Sequence, residues 1–127
     1  MKKVLIFGTF DGLHPGHLHF IKQAKRYGDY LIAVVARDKN VKKLKGHLPK
    51  QPERIRLKNL QNLATVNKTI LGYQNYAKRK NIINKIKPDI ICLGYDQPQL
   101  KIENYKLKII KLKPHYPKRY KSSLLPK

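Results

Sequence analysis

Cysteine and long apolar runs are both scarce in this chain of 127 residues. The single cysteine, Cys92, rules out an internal disulfide and is consistent with a reducing compartment, so we expect a cytoplasmic protein. No apolar run approaches the roughly 20 residues of a membrane-spanning helix, and too few apolar residues precede Gly8 for a signal peptide. These absences argue against a disulfide-stapled or membrane-spanning protein, and the length predicts one domain over residues 1–127.

Negative charge is also scarce, because 7 Asp and Glu face 29 Lys and Arg and the formal net charge is +22. A field of this size attracts polyanions, including nucleotides, nucleic acids and anionic membranes. The basic residues are spread along the whole chain, so a general compositional bias accounts for them without a dedicated binding surface. Nucleic-acid binding therefore stands as an alternative function that the charge alone supports, and each of the few acidic residues becomes informative.

Apolar runs of strand length alternate with helical patterns along the chain. The predicted strands are 4–7, 30–36, 65–71, 89–93 and 107–112, and the predicted helices are 18–27, 52–63, 73–86 and 99–105, with a short helix or turn at 40–46. The continuous β-branched run at 30–36 is typical of a parallel strand that is covered on both faces. The alternation predicts an α/β fold: a single Rossmann-like, doubly wound domain with about five parallel strands.

One segment, Gly8-Thr9-Phe10-Asp11-Gly12-Leu13-His14-Pro15-Gly16-His17, forms the first strand-to-helix turn. Ligands of open parallel sheets bind at the carboxyl ends of strands, and a helix N-terminus there offers free backbone N–H groups and a positive dipole to an anion. The spacing of three places His14 and His17 on one side of the helix start. Their imidazole N–H groups are suited to donate to phosphate oxygens, although a helix-capping histidine pair is the structural alternative.

The Gly-Thr-Phe-Asp and His-Pro-Gly-His segments together resemble the signature of the HxGH nucleotidyltransferases, which include cytidylyltransferases, pantetheine-phosphate adenylyltransferase and archaeal-type FAD synthases. The resemblance implies that a phosphorylated acceptor attacks the α-phosphorus of a nucleoside triphosphate and releases pyrophosphate. The Lys-Lys-Leu-Lys-Gly block at 42–46 and the Asp-Gln pair at 96–97 resemble the FAD synthase branch. ATP and FMN are thus the preferred substrates. CTP with glycerol 3-phosphate or another alcohol phosphate is the alternative, and a sugar phosphate comes third.

The resemblance also implies roles for individual residues. The catalytic residues would be His14, His17 and Lys45. The nucleotide-binding residues would be Gly8, Thr9, Phe10, Asp11, His17, Gly94, Asp96, Arg119, Ser122 and Ser123. The acceptor-binding residues would be Asp11, Lys45 and Arg56.

Most of these residues have a purely structural alternative as well. Asp11 fits an Asx-type turn cap, and the pair Ser122 and Ser123 fits a helix N-cap. Lys45 and Arg56 fit solvated surface cations, and the turn from Gly94 to Asp96 fits a simple loop.

Carboxylates are not clustered as metal ligands anywhere in the sequence, so no residue is predicted to bind a metal directly. We expect Mg²⁺ or a similar divalent cation to be held mainly by the triphosphate, because Mg²⁺ prefers phosphate and water ligands. The resemblance further implies a homodimer. One departure from the family pattern is Asn67, which stands where many relatives have an aspartate.

Overall fold

The structure, a computed structural model, describes residues 1–73, 79–94 and 107–112. Its elements are β1 (Lys3–Gly8), α1 (Pro15–Lys25), β2 (Tyr30–Val35), α2 (Asp38–Lys45), α3 (Glu53–Gln61), β3 (Lys68–Leu71), α4 (Arg79–Ile86), β4 (Ile90–Leu93) and β5 (Lys108–Lys111). The predicted helix at 99–105 lies outside the described residues, as do Asp96, Arg119, Ser122 and Ser123.

Five parallel strands form one sheet in the order β3-β2-β1-β4-β5, which confirms the predicted doubly wound α/β fold. β1 is central: Gly8 pairs with Val35 of β2, and Ile6 pairs with Cys92 of β4. The chain runs outward from β1 to one side and then to the other. The carboxyl end of β1 therefore lies at the switch point, where ligands of such sheets bind.

Apolar side chains pack on both faces of the sheet. Val4 and Ile6 belong to one cluster, with Ile21 of α1 and Leu60 of α3. Leu5 points to the other face, where Ile83 of α4 packs against it. Burying each such side chain contributes about 1.5–3 kcal/mol. Two-sided burial explains why the strands read as continuous apolar runs.

Two aspartates fix the start of β1. The Asp29 carboxylate accepts the Lys2 N–H at 3.0 Å, and the Asp89 carboxylate accepts the Lys3 N–H at 2.8 Å. Asp29 immediately precedes β2, and Asp89 immediately precedes β4. These hydrogen bonds therefore align the amino ends of β1, β2 and β4.

Several element boundaries differ from the predicted ones. α1 begins at Pro15 rather than residue 18, because His14 caps it and proline suits the first helical position. α2 begins at Asp38 and ends where Gly46 adopts a left-handed φ of 84°. β3 begins only at Lys68, since Val66 N–H closes a turn onto the Leu63 carbonyl. In the described ranges, no helix is both long and apolar enough to cross a membrane.

Candidate active site

His14 is the N-cap of α1, and it satisfies the first turn of the helix by itself. Its Nδ1 accepts the N–H of Gly16 at 3.0 Å and that of His17 at 3.3 Å, and its carbonyl accepts the Leu18 N–H at 3.1 Å. Pro15 has no N–H to offer. The prediction that this helix start offers free backbone N–H groups is therefore wrong, because His14 already accepts them. The histidine pair caps the helix, as the structural alternative predicts, and its catalytic role stays a prediction.

His17 returns the interaction, since its Nδ1 accepts the His14 N–H at 3.3 Å. The two imidazoles stack with ring centroids 3.7 Å apart and an interplanar angle of 21°. A nitrogen that accepts a hydrogen bond carries no proton, so each neutral ring has its proton on Nε2. The donor position of both rings is therefore Nε2, which is suited to donate to phosphate oxygens.

The pKa of His17 is lowered from the ordinary value of 6.5. Burial is the main cause, and the neighbouring charges of His14 and Lys45 lower it further. A hydrogen bond with the Gly12 backbone and the charge of Asp11 act in the opposite direction but are outweighed. His17 is therefore neutral at pH 7, which preserves the Nδ1 acceptor that the cap requires.

Two motif glycines make room for rings. A Cβ on Gly16 would lie 2.9 Å from Cε1 of the His14 imidazole, and a Cβ on Gly8 would lie 2.7 Å from the Phe10 ring. Both distances are too short for real Cβ contacts. These glycines are thus required by the packing of neighbouring side chains as well as by the turn.

Phe10 is a core residue, because only 3% of it is exposed and it packs in the cluster with Val4 and Ile6. Its side chain therefore faces the core, and its predicted part in nucleotide binding stays a prediction that its backbone would have to serve. The Phe10 φ of 53° is unusual for a residue with a side chain. The ring contacts that of His17 edge-on, with centroids 5.8 Å apart.

The Asp11 carboxylate joins the motif turn to the loop after α2. Its oxygens accept the N–H of Lys50 at 2.7 Å and that of Gln51 at 2.9 Å. Burial raises the pKa of Asp11, but these two hydrogen bonds and the charges of Arg56 and Lys50 outweigh it, so the net pKa is lowered. Asp11 does not form the local Asx turn, because its oxygens bind backbone groups distant in sequence. Its predicted contact with substrates stays a prediction.

Arg56 is fully buried, which contradicts the surface alternative, while its predicted role as an acceptor ligand stays a prediction. Nε donates to the Gln51 carbonyl at 3.0 Å, one terminal nitrogen to the Thr9 carbonyl at 2.7 Å, and the other to the Asp38 carboxylate at 2.6 Å. A buried guanidinium needs such partners to offset its desolvation. These contacts bind the motif turn to α2 and α3, and they leave Arg56 facing protein groups.

Sequence reasoning missed three residues of this network. The Gln51 Oε1 accepts the Gly12 N–H at 3.1 Å. Asp38 and Glu53 cap each other's helices, because each side chain accepts the other's backbone N–H, at 3.2 and 2.8 Å. The sequence did contain a signal for Asp38 and Glu53. Acidic residues are few in this chain, and carboxylates are favoured at helix starts, where they accept free backbone N–H groups.

Lys45 and Gly94 lie where the sequence placed them. Lys45 is the last residue of α2, is exposed, and acts electrostatically on His17. Gly94 directly follows β4, and continuing the register of β1 and β4 places it beside Gly8. Both residues thus lie at the same edge of the sheet as the histidines.

Cys92 lies in the core of β4, and burial raises its pKa to about 11. A thiol of this pKa is protonated at neutral pH and unreactive. The interpretation of Cys92 as a small apolar core residue is consistent with this position.

The described part of the chain contains no group of three His, Cys, Asp or Glu side chains that could hold a metal ion. Asp11 is the acid nearest the motif histidines in sequence, and both of its oxygens already accept hydrogen bonds. The described residues around the histidine pair therefore do not form a metal-binding cage.

Comparison with known proteins identifies the family of this chain. The profile described as cytidylyltransferase-like matches residues 5–123. The chain belongs to the cytidylyltransferase-like family. The predicted resemblance to the HxGH nucleotidyltransferases is therefore confirmed at the level of the family.

Curated relatives of this family member include archaeal proteins named FAD synthase. One from Ferroglobus placidus is 50% identical over 99 residues, which cover 76% of this chain and 61% of the relative. One from Aciduliprofundum boonei is 37% identical over 123 residues, covering 91% of this chain and 80% of the relative. The chain thus spans only about three fifths of the length of the Ferroglobus relative.

Solved structures with the same fold include a protein from Thermoplasma volcanium described as a lipopolysaccharide core biosynthesis protein. It has a TM-score of 0.78 and 34% identity, and the match covers 91% of this chain and 99% of that one. A pantoate-beta-alanine ligase from Francisella tularensis has a TM-score of 0.55 at 16% identity, with 92% of this chain and 60% of that one covered. The second likeness supports the fold alone.

Proposed function

We propose that this chain is an FMN adenylyltransferase, that is, an FAD synthase. In this reaction a terminal phosphate oxygen of FMN attacks the α-phosphorus of ATP. The bond between the α-phosphorus and the bridging oxygen to the β-phosphate breaks, so FAD forms and pyrophosphate leaves. The observation that supports this most strongly is the stacked histidine pair after the carboxyl end of β1, in which each Nδ1 accepts a backbone N–H. The names of the archaeal relatives supply the substrate pair.

His14 and His17 would act by donating from Nε2 to the oxygens of the α-phosphate, where negative charge grows in the transition state. The exposed Lys45 would neutralise phosphate charge beside them. Thr9, Gly8 and Gly94 would contribute backbone groups at the same edge of the sheet. Asp96, Arg119, Ser122 and Ser123 keep their predicted roles in binding the nucleotide.

A divalent cation would enter with the nucleotide. The described residues offer no cage for it, so its ligands would be mainly phosphate and water oxygens, as Mg²⁺ prefers. Its chemistry would be charge neutralisation on the phosphates, and the protein groups above would act on the same oxygens without binding the ion. A homodimer in the cytoplasm belongs to this proposal as well.

The alternative within the family is transfer of a cytidylyl group from CTP to glycerol 3-phosphate or another alcohol or sugar phosphate. The histidine pair serves this reaction equally well, because it acts on the α-phosphate and not on the base. The net charge of +22 favours a second class of function, nucleic-acid binding.

A product assay separates these functions. Purified protein with Mg²⁺ is given ATP or CTP against FMN, glycerol 3-phosphate and a sugar 1-phosphate, and pyrophosphate and the new conjugate are measured. FAD from ATP and FMN is the expected result. A CDP conjugate would replace it with the cytidylyltransferase alternative. No product with any pair, together with nucleic-acid binding that weakens steeply with salt, would favour the non-catalytic alternative.

A further inference from the structure

We propose that Arg56 is a positioning residue that fixes the Thr9–Phe10 peptide and, through the Phe10 ring, the imidazole of His17. The kinetic part of this inference rests on the proposed nucleotidyl transfer. Its structural part concerns the ligand-free protein and stands without it.

The first step is the guanidinium itself. Arg56 lies on α3, yet it is fully buried, and its hydrogen bonds reach three separate segments. These are the motif turn through Thr9, the loop after α2 through Gln51, and the start of α2 through Asp38. The Asp38 partner is itself fixed, since it also accepts the Glu53 N–H. A planar fork held at three points defines the position of each acceptor.

The second step is the strained residue that follows Thr9. A residue with a side chain pays roughly 1–2 kcal/mol for a left-handed backbone such as that of Phe10. Such a conformation persists only where its surroundings enforce it. Arg56 holds the carbonyl of the peptide that enters Phe10, and the Phe10 ring lies tightly over Gly8. Together these contacts enforce the turn.

The third step leads from Phe10 to the histidine. The Phe10 ring meets the His17 ring edge-on at 5.8 Å, while the other side of His17 stacks on His14. Contacts with the Phe10 and His14 rings therefore fix the position of the His17 imidazole. A shift of the Thr9–Phe10 peptide moves the Phe10 ring and, with it, His17. Arg56 would act on the reacting groups along this path, because it is fully buried and each of its three nitrogens donates to a protein group.

The test compares Arg56→Lys with Arg54→Lys, the same substitution two residues earlier at an exposed position of α3. An ammonium keeps the charge but cannot reproduce the fork. We expect Arg56→Lys to lower kcat by about 100-fold with KM changed by less than about threefold. We also expect the imidazole resonances and the pH titration of His17, followed by NMR without ligand, to move in this variant. Arg54→Lys is expected to match the unsubstituted protein in both measurements.

A second variant covers a failure of Arg56→Lys to fold, which thermal unfolding would reveal. Phe10→Leu leaves the Arg56 hydrogen bonds to the backbone intact and removes the ring edge beside His17. We expect it to change the His17 titration in the same way.

Three results would overturn the inference. The first is a rise in KM for the acceptor at constant kcat in Arg56→Lys, which would indicate direct contact with substrate. The second is an unchanged His17 titration in Arg56→Lys. The third is an unchanged titration in Phe10→Leu. If the unsubstituted protein transfers no nucleotide at all, the proposed function fails, while the NMR comparison still decides whether Arg56 positions His17.

Discussion

His14 and His17 cap each other: the Nδ1 of each imidazole accepts the backbone N–H of the other residue, at 3.3 Å in both directions. This is a capping box built from two histidines, where serine or threonine with glutamate is usual. The same two rings are the proposed donors to the α-phosphate. Helix capping and the proposed catalysis therefore depend on the same two rings, capping through Nδ1 and catalysis through Nε2, and substitutions can separate the two roles.

Comparing His17→Ala with His17→Gln is expected to separate them. Glutamine retains a side-chain acceptor at the third helical position, so the cap survives, whereas alanine removes it and costs about 1 kcal/mol of stability. Both variants lack the imidazole donor, so kcat falls by roughly 100-fold or more in each. His19→Ala, on the same helix, is the control and keeps its activity. Near-normal turnover in His17→Gln would refute the mechanism.

Stability is expected to fall as the pH drops from 7.5 toward 5.5. The pKa of His17 in the folded protein lies below its ordinary value of 6.5, so the unfolded chain binds the proton more tightly. The contribution of His17 is then fully present above pH 6.5 and is lost as the pH falls through the folded pKa. Urea unfolding at several pH values measures how the free energy of unfolding depends on pH. A weaker pH dependence is expected in His17→Gln, and equal dependence in both proteins would contradict this origin.

For Gly16→Ala, helix propensity and packing against His14 predict opposite signs for the change in the free energy of unfolding. Gly16 is in the first turn of α1, where helix propensity alone predicts that alanine stabilises by about 0.5–1 kcal/mol. The new methyl group would instead lie 2.9 Å from the His14 ring. We expect a loss of about 1–3 kcal/mol, as for other overpacked sites, with reduced turnover because His14 is displaced. A more stable and fully active variant would show that the ring moves aside freely.

Asn67, where the resemblance leads us to expect an aspartate, uses its side-chain oxygen for contacts that an aspartate could also make. Its Oδ1 accepts the Leu31 N–H at 2.8 Å and a hydrogen bond from the Lys25 ammonium, while its own N–H donates to the Leu31 carbonyl. Asn67→Asp keeps both acceptor contacts and adds an ion pair with Lys25. We expect a gain of up to about 1 kcal/mol that shrinks with added salt.

Asn67→Ala is the matched control, and it is expected to lose about 1 kcal/mol. Chemical denaturation of both variants at low and high salt measures these changes. Destabilisation by Asn67→Asp would show that the site needs the amide.

Periodicity and spacing in the sequence determined the fold class, the number of parallel strands and the place of the histidine pair. Those features depend on local patterns: two-sided burial gives continuous apolar strands, and glycines and histidines at fixed offsets specify the turn. The place of Cys92 in a buried strand followed from the same reasoning. Gly94 lies at the carboxyl edge because parallel strands end on the same side, whereas Lys45 ends helix α2 and is close enough to His17 to lower its pKa.

The tertiary structure alone decided the roles of Phe10, Asp11 and Arg56. Each was predicted to bind the substrates, and in this structure the side chain of each contacts the protein: Phe10 in the core, Asp11 on the N–H groups of the loop after α2, and Arg56 on Asp38, Gln51 and Thr9. These partners are distant in sequence and have no fixed spacing that a pattern can reveal. Whether a charged side chain faces a ligand or a buried acceptor depends on how the helices pack over the sheet, and only the folded chain specifies that packing.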